Sequence, residues 1–385
     1  MGGLVVGERG GALREMQDIV RGWSELRTRG QEVVLATVVA ASGSTYRRPG
    51  ARLLLSTERW IAGGISGGCL ERDVLGKAWW RTREGPVVVT YDSTSADDEE
   101  TWTFGLGCNG RVDVLLERLP ASGEAHPLDF IARCLATRRT GVMATVFRGE
   151  RAGELGRRLL LDANEVRSDL PSGPLRDGVR EAAQAVPREG RTRAERIEGA
   201  TGACEVLLEV IRPPRSLVVF GAGQDAVPLV NLAAALGFHL TVVSNTSGGA
   251  PADLFQEASV RLTASPSAVR EKLFLEPDAA VVIMTHNLAH DRGYLRFALE
   301  SACEYVGILG PRARTERLLN ELAEEGFRPS EARRAALYSP IGLHLGAEQP
   351  EEIALSILAE VVARFSGADA QSLRLRPGPI HARVS

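Results

Sequence analysis

SLVVFGAGQDAVPLVNLAAALGF, residues 216–238, decides the fold of the second half of this chain. An unbroken apolar run ending at Phe220 passes into Gly221-Ala222-Gly223-Gln224-Asp225-Ala226, which reads G-x-G-x-x-A. A helical pattern from Gln224 to Leu236 follows. The first glycine permits a tight turn and the second lets a phosphate approach the backbone. The helix N-terminus adds free N–H groups and a partial positive charge. Working outward, HLTVVS, SVRL, AAVVIMT and EYVGIL are further short apolar runs with helical patterns between them. Runs of this kind belong to strands covered by helices on both sheet faces, so the half after Pro213-Pro214-Arg215 reads as a Rossmann-like, doubly wound parallel sheet. Its last helix, PEEIALSILAEVVARF, opens with Pro350, Glu351 and Glu352, as a helix N-terminus should.

The half before this boundary reads as a mixed α/β domain, giving two domains, 1–212 and 213–385, as expected for 385 residues. It opens on a helix with Leu13, Met16, Ile19, Val20, Trp23 and Leu26 on one face, followed by strands at EVVLATVVAA, ARLLLS, PVVVTY and RVDVLLE. From about residue 121 the pattern is less readable: GVMATVF, RRLLLD and CEVLLEV are strand candidates, and the charged run Glu181 to Thr201 reads as surface. VDVLLERLP echoes EVLLEVIRPP, but one pair does not define a repeat.

Composition excludes several function classes. The formal net charge of −3 offers no general attraction to nucleic acid or anionic membrane. No apolar run approaches the ~20 residues of a membrane span, and the N-terminus lacks a secretory pattern. Five dispersed cysteines without a CxxC argue against a disulfide framework or structural zinc, so free thiols in the cytoplasm are expected.

Two glycine-flanked cysteines stand out. In Ile65-Ser66-Gly67-Gly68-Cys69-Leu70-Glu71 the glycines could expose N–H groups to an anion, with Cys69 in the first turn of a helix, where a thiolate is stabilised. The alternative is a small buried cysteine. Gly105-Leu106-Gly107-Cys108-Asn109-Gly110 repeats the arrangement before a strand. Soft thiolates at Cys69 and Cys108 suit molybdenum or sulfur chemistry better than a hard cation. Arg47 and Arg48, in a polar turn, could grip a phosphate, or could be a solvated hairpin. Gly64 to Gly68 also fits the G-x-S-x-G hydrolase elbow, but no HGGG-like oxyanion segment precedes it. AAVVIMT ends at Thr285, placing His286 at the strand edge where ligands gather. His286 and His290 have a spacing that serves a metal only if helical, and Asp291 could be a simple helix cap.

Together these motifs resemble the XdhC/CoxI family of xanthine dehydrogenase accessory proteins. The likeness is carried by GSTYRRPGARLLL, GGISGGCLERDV, YDS and GLGCNGRVDVLLE in the first half. In the second it is carried by VVFGAGQDAVPLVNLAAALGF, VVIMTHNLAHDRGYL, YVGILGPRAR and SPIGLHLGAEQPEEIALSILAEVV. The resemblance covers 13–117 and 213–364. It implies an accessory protein, not an enzyme with a turnover of its own, that binds molybdenum cofactor, with or without a nucleotide. It would help the cofactor receive its terminal sulfur and deliver it to a xanthine dehydrogenase or CO dehydrogenase type apoenzyme. A cysteine desulfurase and that molybdoenzyme are the implied partners, and a homodimer the implied state. By motif, Ser66, Gly67, Gly68, Cys69 and Glu71, Gly107 and Cys108, and Thr285, His286 and Asp291 carry over as cofactor-binding residues, joined by Arg47, Arg48, Gly221 and Gly223. Three departures are visible. Ser244 and Asn245 stand where the family tends to have an acidic residue after the second Rossmann strand. His344 replaces an Asp, and Gly307 to Pro311 replaces GLIGS. The first weakens NAD(P) binding. The alternative reading remains an NAD(P)-dependent oxidoreductase using the second domain.

Overall fold

In the computed structural model, residues 11–43, 45–92, 110–120, 126–150, 153–199, 202–245 and 253–375 are described. The chain divides into compact units spanning Ala12–Pro213 and Pro214–Ser385. No described helix is long and apolar enough to cross a membrane.

The first unit contains an internal duplication. After α1 (Gly11–Thr28) come β1 (Val33–Gly43), β2 (Arg52–Leu55), β3 (Trp60–Gly63), α2 (Cys69–Arg81), β4 (Val87–Asp92) and β5 (Gly110–Leu119). After α3 (Pro127–Thr137) come β6 (Gly141–Arg148), β7 (Arg158–Leu161), β8 (Val166–Ser168), α4 (Pro174–Glu189), β9 (Arg193–Gly199) and β10 (Gly202–Ile211). The two antiparallel sheets have the orders β3-β2-β1-β5-β4 and β8-β7-β6-β10-β9, the same path drawn twice. The echo between 112–120 and 205–214 is therefore part of a true repeat, and β2 and β7 share the sequence RLLL. The stretch 181–201, expected at the surface, supplies the end of α4 and the strand β9, with Ala183, Val186 and Ile197 buried.

The repeat extends to packing. One helix covers one face of each sheet through the same i, i+4, i+8 ridge: Leu70, Val74 and Ala78 in the first copy, Leu175, Val179 and Ala183 in the second. The strand residues beneath also correspond. Val34, Ala36, Val38 and Leu53 in one cluster match Val142, Ala144, Val146 and Leu159 in the other. The opposite faces join the copies, with Val39 and Leu115 meeting Phe147 and Leu207 in a single cluster. Two buried ion pairs cross between the sheets reciprocally. Arg52 on β2 donates to Glu209 on β10 (2.6 Å for Nη1 to Oε1), and Arg158 on β7 pairs with Glu117 on β5. Each guanidinium also donates to the carbonyl two residues earlier, Gly50 at 2.8 Å and Gly156 at 2.7 Å.

The second unit is the expected parallel sheet. β11 (Ser216–Phe220), α5 (Ala226–Ala235), β12 (His239–Ser244), β13 (Val260–Thr263), α6 (Val269–Lys272), β14 (Ala280–Ile283), α7 (Leu288–Glu300), β15 (Tyr305–Ile308), α8 (Arg312–Glu324), α9 (Glu331–Ala335), β16 (Leu337–Tyr338) and α10 (Pro350–Ser366) follow in order. All pairings are parallel and the order is β13-β12-β11-β14-β15-β16, that is 3-2-1-4-5-6 within the unit. The order reverses between β11 and β14. Loops at their carboxyl ends therefore flank the crevice where ligands of such sheets bind.

Candidate functional site

The Gly64–Cys69 segment turns from β3 into α2. Gly68 is the N-cap and holds φ 113°, a left-handed conformation that a side chain would strain. Glu71, in the first turn, folds back over the loop. Its Oε1 accepts from the N–H of Ile65 (2.9 Å) and Ser66 (2.7 Å), and its Oε2 accepts from the N–H of Gly68 (3.1 Å) and from the Ser66 hydroxyl. Ser66 Oγ in turn accepts from the N–H of Leu70 (3.0 Å). Burial pushes the Glu71 carboxyl up, but the hydrogen bonds from the Ser66 side chain and the loop amides outweigh it and hold the group below its usual range. Sequence reasoning offered the loop amides to a ligand anion. The structure gives most of them to Glu71 and leaves those of Gly67 and Cys69 without a partner among the described residues. Cys69 is exposed, not a buried core thiol.

Glu71→Ala removes the acceptor of three amides, those of buried Ile65, half-buried Ser66 and exposed Gly68, and of a hydroxyl. It is expected to cost about 2–3 kcal/mol at neutral pH. Because the folded-state pKa is lowered, this stabilisation is present above the unfolded value of ~4.3 and is lost as pH falls through the folded value. Wild type and variant should therefore converge in acid, as followed by urea unfolding at several pH values. A cost that persists undiminished at acid pH would count against the carboxylate's role.

Arg47 lies half-buried with its guanidinium paired to Glu15. Arg48 is half-buried in the same turn, its carbonyl accepting from Ala51 N–H at 3.1 Å. Gly107 and Cys108 lie outside the described residues.

The second group of candidates gathers at the switch crevice. Gly221 holds φ 127°, and a Cβ there would stand 2.5 Å from the Met284 carbonyl oxygen at the end of β14. Its glycine is demanded by strand packing. At Gly223 a Cβ would stand 2.5 Å from Asp225 Oδ1. The Asp225 carboxylate therefore lies beside the second glycine, at the start of α5, where a dinucleotide would bring its phosphates. Like charge opposes that ligand. Asp225 had escaped sequence reasoning; the signal was a carboxylate inside the G-x-G-x-x-A turn. His286 crosses the crevice to it, with Nε2 2.7 Å from Asp225 Oδ2, and holds φ 56°, a strained value for a non-glycine residue.

Asp291 is more than a cap. Buried in α7, it accepts from the Thr285 hydroxyl at 2.6 Å and from Arg314 Nη2 at 2.6 Å, while Asn287 caps the helix by accepting from His290 N–H at 3.1 Å. Thr285 and Asp291 thereby fix the turn that carries His286. His286 precedes α7, so it does not share a helical face with His290, which pairs instead with Asn245. Among the described residues no group of three His, Cys, Asp or Glu is arranged to hold a metal ion.

A duplicated α/β unit ahead of a 3-2-1-4-5-6 sheet, with an exposed cysteine at a glycine turn, defines the class of protein. Residues 217–361 match the XdhC Rossmann domain model, and residues 26–92 match that of the XdhC and CoxI family. A protein of Bacillus subtilis named as a probable xanthine dehydrogenase subunit is 33% identical over 334 residues, 86% of this chain and 93% of that protein. The molybdenum cofactor insertion chaperone PaoD of Escherichia coli is 24% identical over 335 residues, 87% of this chain and 84% of its own length. A crystal structure described as a xanthine dehydrogenase from Bacillus halodurans matches with a TM-score of 0.71 at 29% identity, covering 92% of this chain and 98% of that one. The chain belongs to the XdhC/CoxI family.

Proposed function

We propose that this chain binds molybdenum cofactor as cargo and delivers it to an apo-molybdoenzyme of the xanthine dehydrogenase class. In this reading it works as a cytoplasmic homodimer and takes up sulfur for the cofactor with a cysteine desulfurase. The names of PaoD, a molybdenum cofactor insertion chaperone, and of the Bacillus subtilis relative support the direction. The observation that carries it is internal to the chain. The duplicated scaffold folds the same strand-turn-helix twice, but the second copy has Pro171, Gly173, Pro174 and Arg176 where the first has Ser66, Gly68, Cys69 and Glu71. The glycine is common to both copies and is structural. Cys69 is not required by the fold, since the second copy builds its turn with Pro174 in that place, while Ser66 and Glu71 hold the loop that presents it.

The residues fit the cargo. The exposed sulfur of Cys69 is a soft donor suited to molybdenum or to a sulfur-bearing group. The amides of Gly67 and Cys69, without a partner among the described residues, can donate to an anionic group at the start of α2. Within the first unit, Cys108 is proposed as a second thiol and Arg48 as a polar contact; Thr285 and His286 are proposed as polar contacts of the second unit's own crevice. The Asp225 carboxylate at the start of α5 disfavours the nicotinamide-oxidoreductase alternative.

Full-length protein from a molybdenum-competent host should carry pterin and molybdenum well above an unrelated control. Cys69→Ala should lower the retained cofactor by about tenfold or more and leave the unfolding midpoint nearly unchanged, since a proline holds the equivalent place. Wild-type protein no richer in pterin than the control, even with partners co-expressed, would end the proposal.

A further inference from the structure

Two large aromatic side chains stand exposed beside the Gly64–Cys69 loop, and the fold gives no reason for either. Tyr46 is 69% exposed and Trp60 is 45% exposed. A Cβ placed on Gly67 would lie 3.7 Å from Tyr46 Cγ and 3.8 Å from both Cδ1 and Cδ2. Near-equal distances to these three atoms put the glycine against the ring's face, since an edge approach would favour one carbon. One face of Tyr46 is thus turned toward Gly67, two residues from Cys69, with room for a methyl between them, while most of the ring remains open to solvent. Trp60 opens β3, the strand that leads into the loop. Its Nε1–H donates to the Gly63 carbonyl at 2.8 Å, and its Cζ2 lies 3.9 Å from a Cβ placed on Gly64. That hydrogen bond fixes the indole although it is exposed.

The repeat tests whether the scaffold needs these rings. Opposite Leu55 on the edge strand stands Trp60; opposite the equivalent Leu161 stands Val166. The hairpin bearing Tyr46 is closed by Gly50 N–H donating to Val38 O at 2.8 Å, and its counterpart by Gly156 N–H donating to Val146 O at 2.9 Å. The span 38–50 is thus two residues longer than 146–156. Extra chain and exposed aromatic surface are confined to the copy that carries Cys69. Two exposed rings beside one polar loop offer apolar faces to a ligand held there. A ring held flat with one face free selects a planar partner, because aromatic systems stack with offset faces.

We propose that Tyr46 is the stacking platform for the flat, bicyclic pterin ring of the cofactor, with Trp60 as a second, fixed aromatic surface beside the loop. This rests on the reading above and adds where the ring system lies: on the free face of Tyr46, with the sulfur-bearing end toward Cys69. Tyr46 acts through its face and not its hydroxyl, so Tyr46→Phe should behave as wild type.

The test uses full-length protein loaded in a molybdenum-competent host, with cofactor release followed over time, and a parallel titration with 6-carboxypterin. Tyr46→Ala should release cofactor about tenfold faster and bind 6-carboxypterin about tenfold more weakly, a loss typical of removing one stacking ring. Tyr46→Phe should stay within about twofold of wild type. If wild type is loaded but Tyr46→Ala holds both ligands as tightly, the platform is wrong while the delivery role stands. If Tyr46→Ala holds cofactor normally but fails to activate the target enzyme, the ring is a protein-docking residue and the platform is wrong. If wild type neither retains cofactor nor binds 6-carboxypterin, both readings fall together.

Discussion

Arg52→Met and Arg158→Met should each destabilise the Ala12–Pro213 unit by about 3–5 kcal/mol. The reason is the reciprocal pair of buried bridges. Each arginine is nearly inaccessible, and so is the glutamate it faces across the two sheets. Removing one guanidinium strands Glu209 or Glu117 as an uncompensated charge in a low-dielectric interior, and that penalty exceeds the net worth of the pair itself. Replacing both members together, as in Arg52→Met with Glu209→Leu, should therefore recover most of the loss. The duplication adds a sharper requirement: the two single substitutions should agree within about 1 kcal/mol, because context at equivalent positions is alike. All five tryptophans of the chain belong to this unit. Tryptophan fluorescence during urea unfolding thus reads it selectively, without assuming that the two units unfold in one step. Losses under 1 kcal/mol, or a large loss in one copy only, would show that the bridges do not hold the copies together.

Gly221→Ala should cost the Pro214–Ser385 unit about 3–5 kcal/mol with no ligand present. The residue holds φ 127°, and the added methyl would meet the Met284 carbonyl oxygen at 2.5 Å and its carbon at 2.8 Å. Both are backbone atoms of the neighbouring strand's end, so the clash cannot be relieved by turning a side chain. Gly223→Ala is the matched control. Its methyl meets the Asp225 side chain, which can rotate away, so a loss below about 1 kcal/mol is expected. Far-UV circular dichroism should show the unit's transition displaced by Gly221→Ala, while tryptophan fluorescence is unchanged. An unaltered transition would mean that this glycine serves a ligand and not the packing of β11 against β14.

The second unit was legible because its signals are local. Continuous apolar runs such as SLVVF and AAVVIMT identify doubly covered strands, and Pro350 with Glu351 and Glu352 marks a helix start, wherever those residues occur. The Cys69 loop was legible for a similar reason: glycine pairs and a cysteine before a helix carry their chemistry in sequence. The duplication was nearly invisible. Outside RLLL, VLLE and the near-identical VLATV of β1 and VMATV of β6, the copies share apolar character at corresponding positions, as in Ile65 and Leu170 or Val39 and Phe147, more often than identity. Apolar class is enough to fill a core, so little identity has to remain.

Taken alone, the amino-acid order determined the fold class of each half, the glycine turns and the family, because backbone propensity and hydrophobic period act between near neighbours. Tertiary structure decided everything that depends on long-range pairing. It gave the loop amides to Glu71, set Asp225 beside Gly223 with His286 across from it, and buried Asp291 against Arg314. It also turned the face of Tyr46 toward a glycine 21 positions away. Which polar group satisfies which is settled only when distant segments are brought within hydrogen-bond reach, and no local pattern encodes that distance.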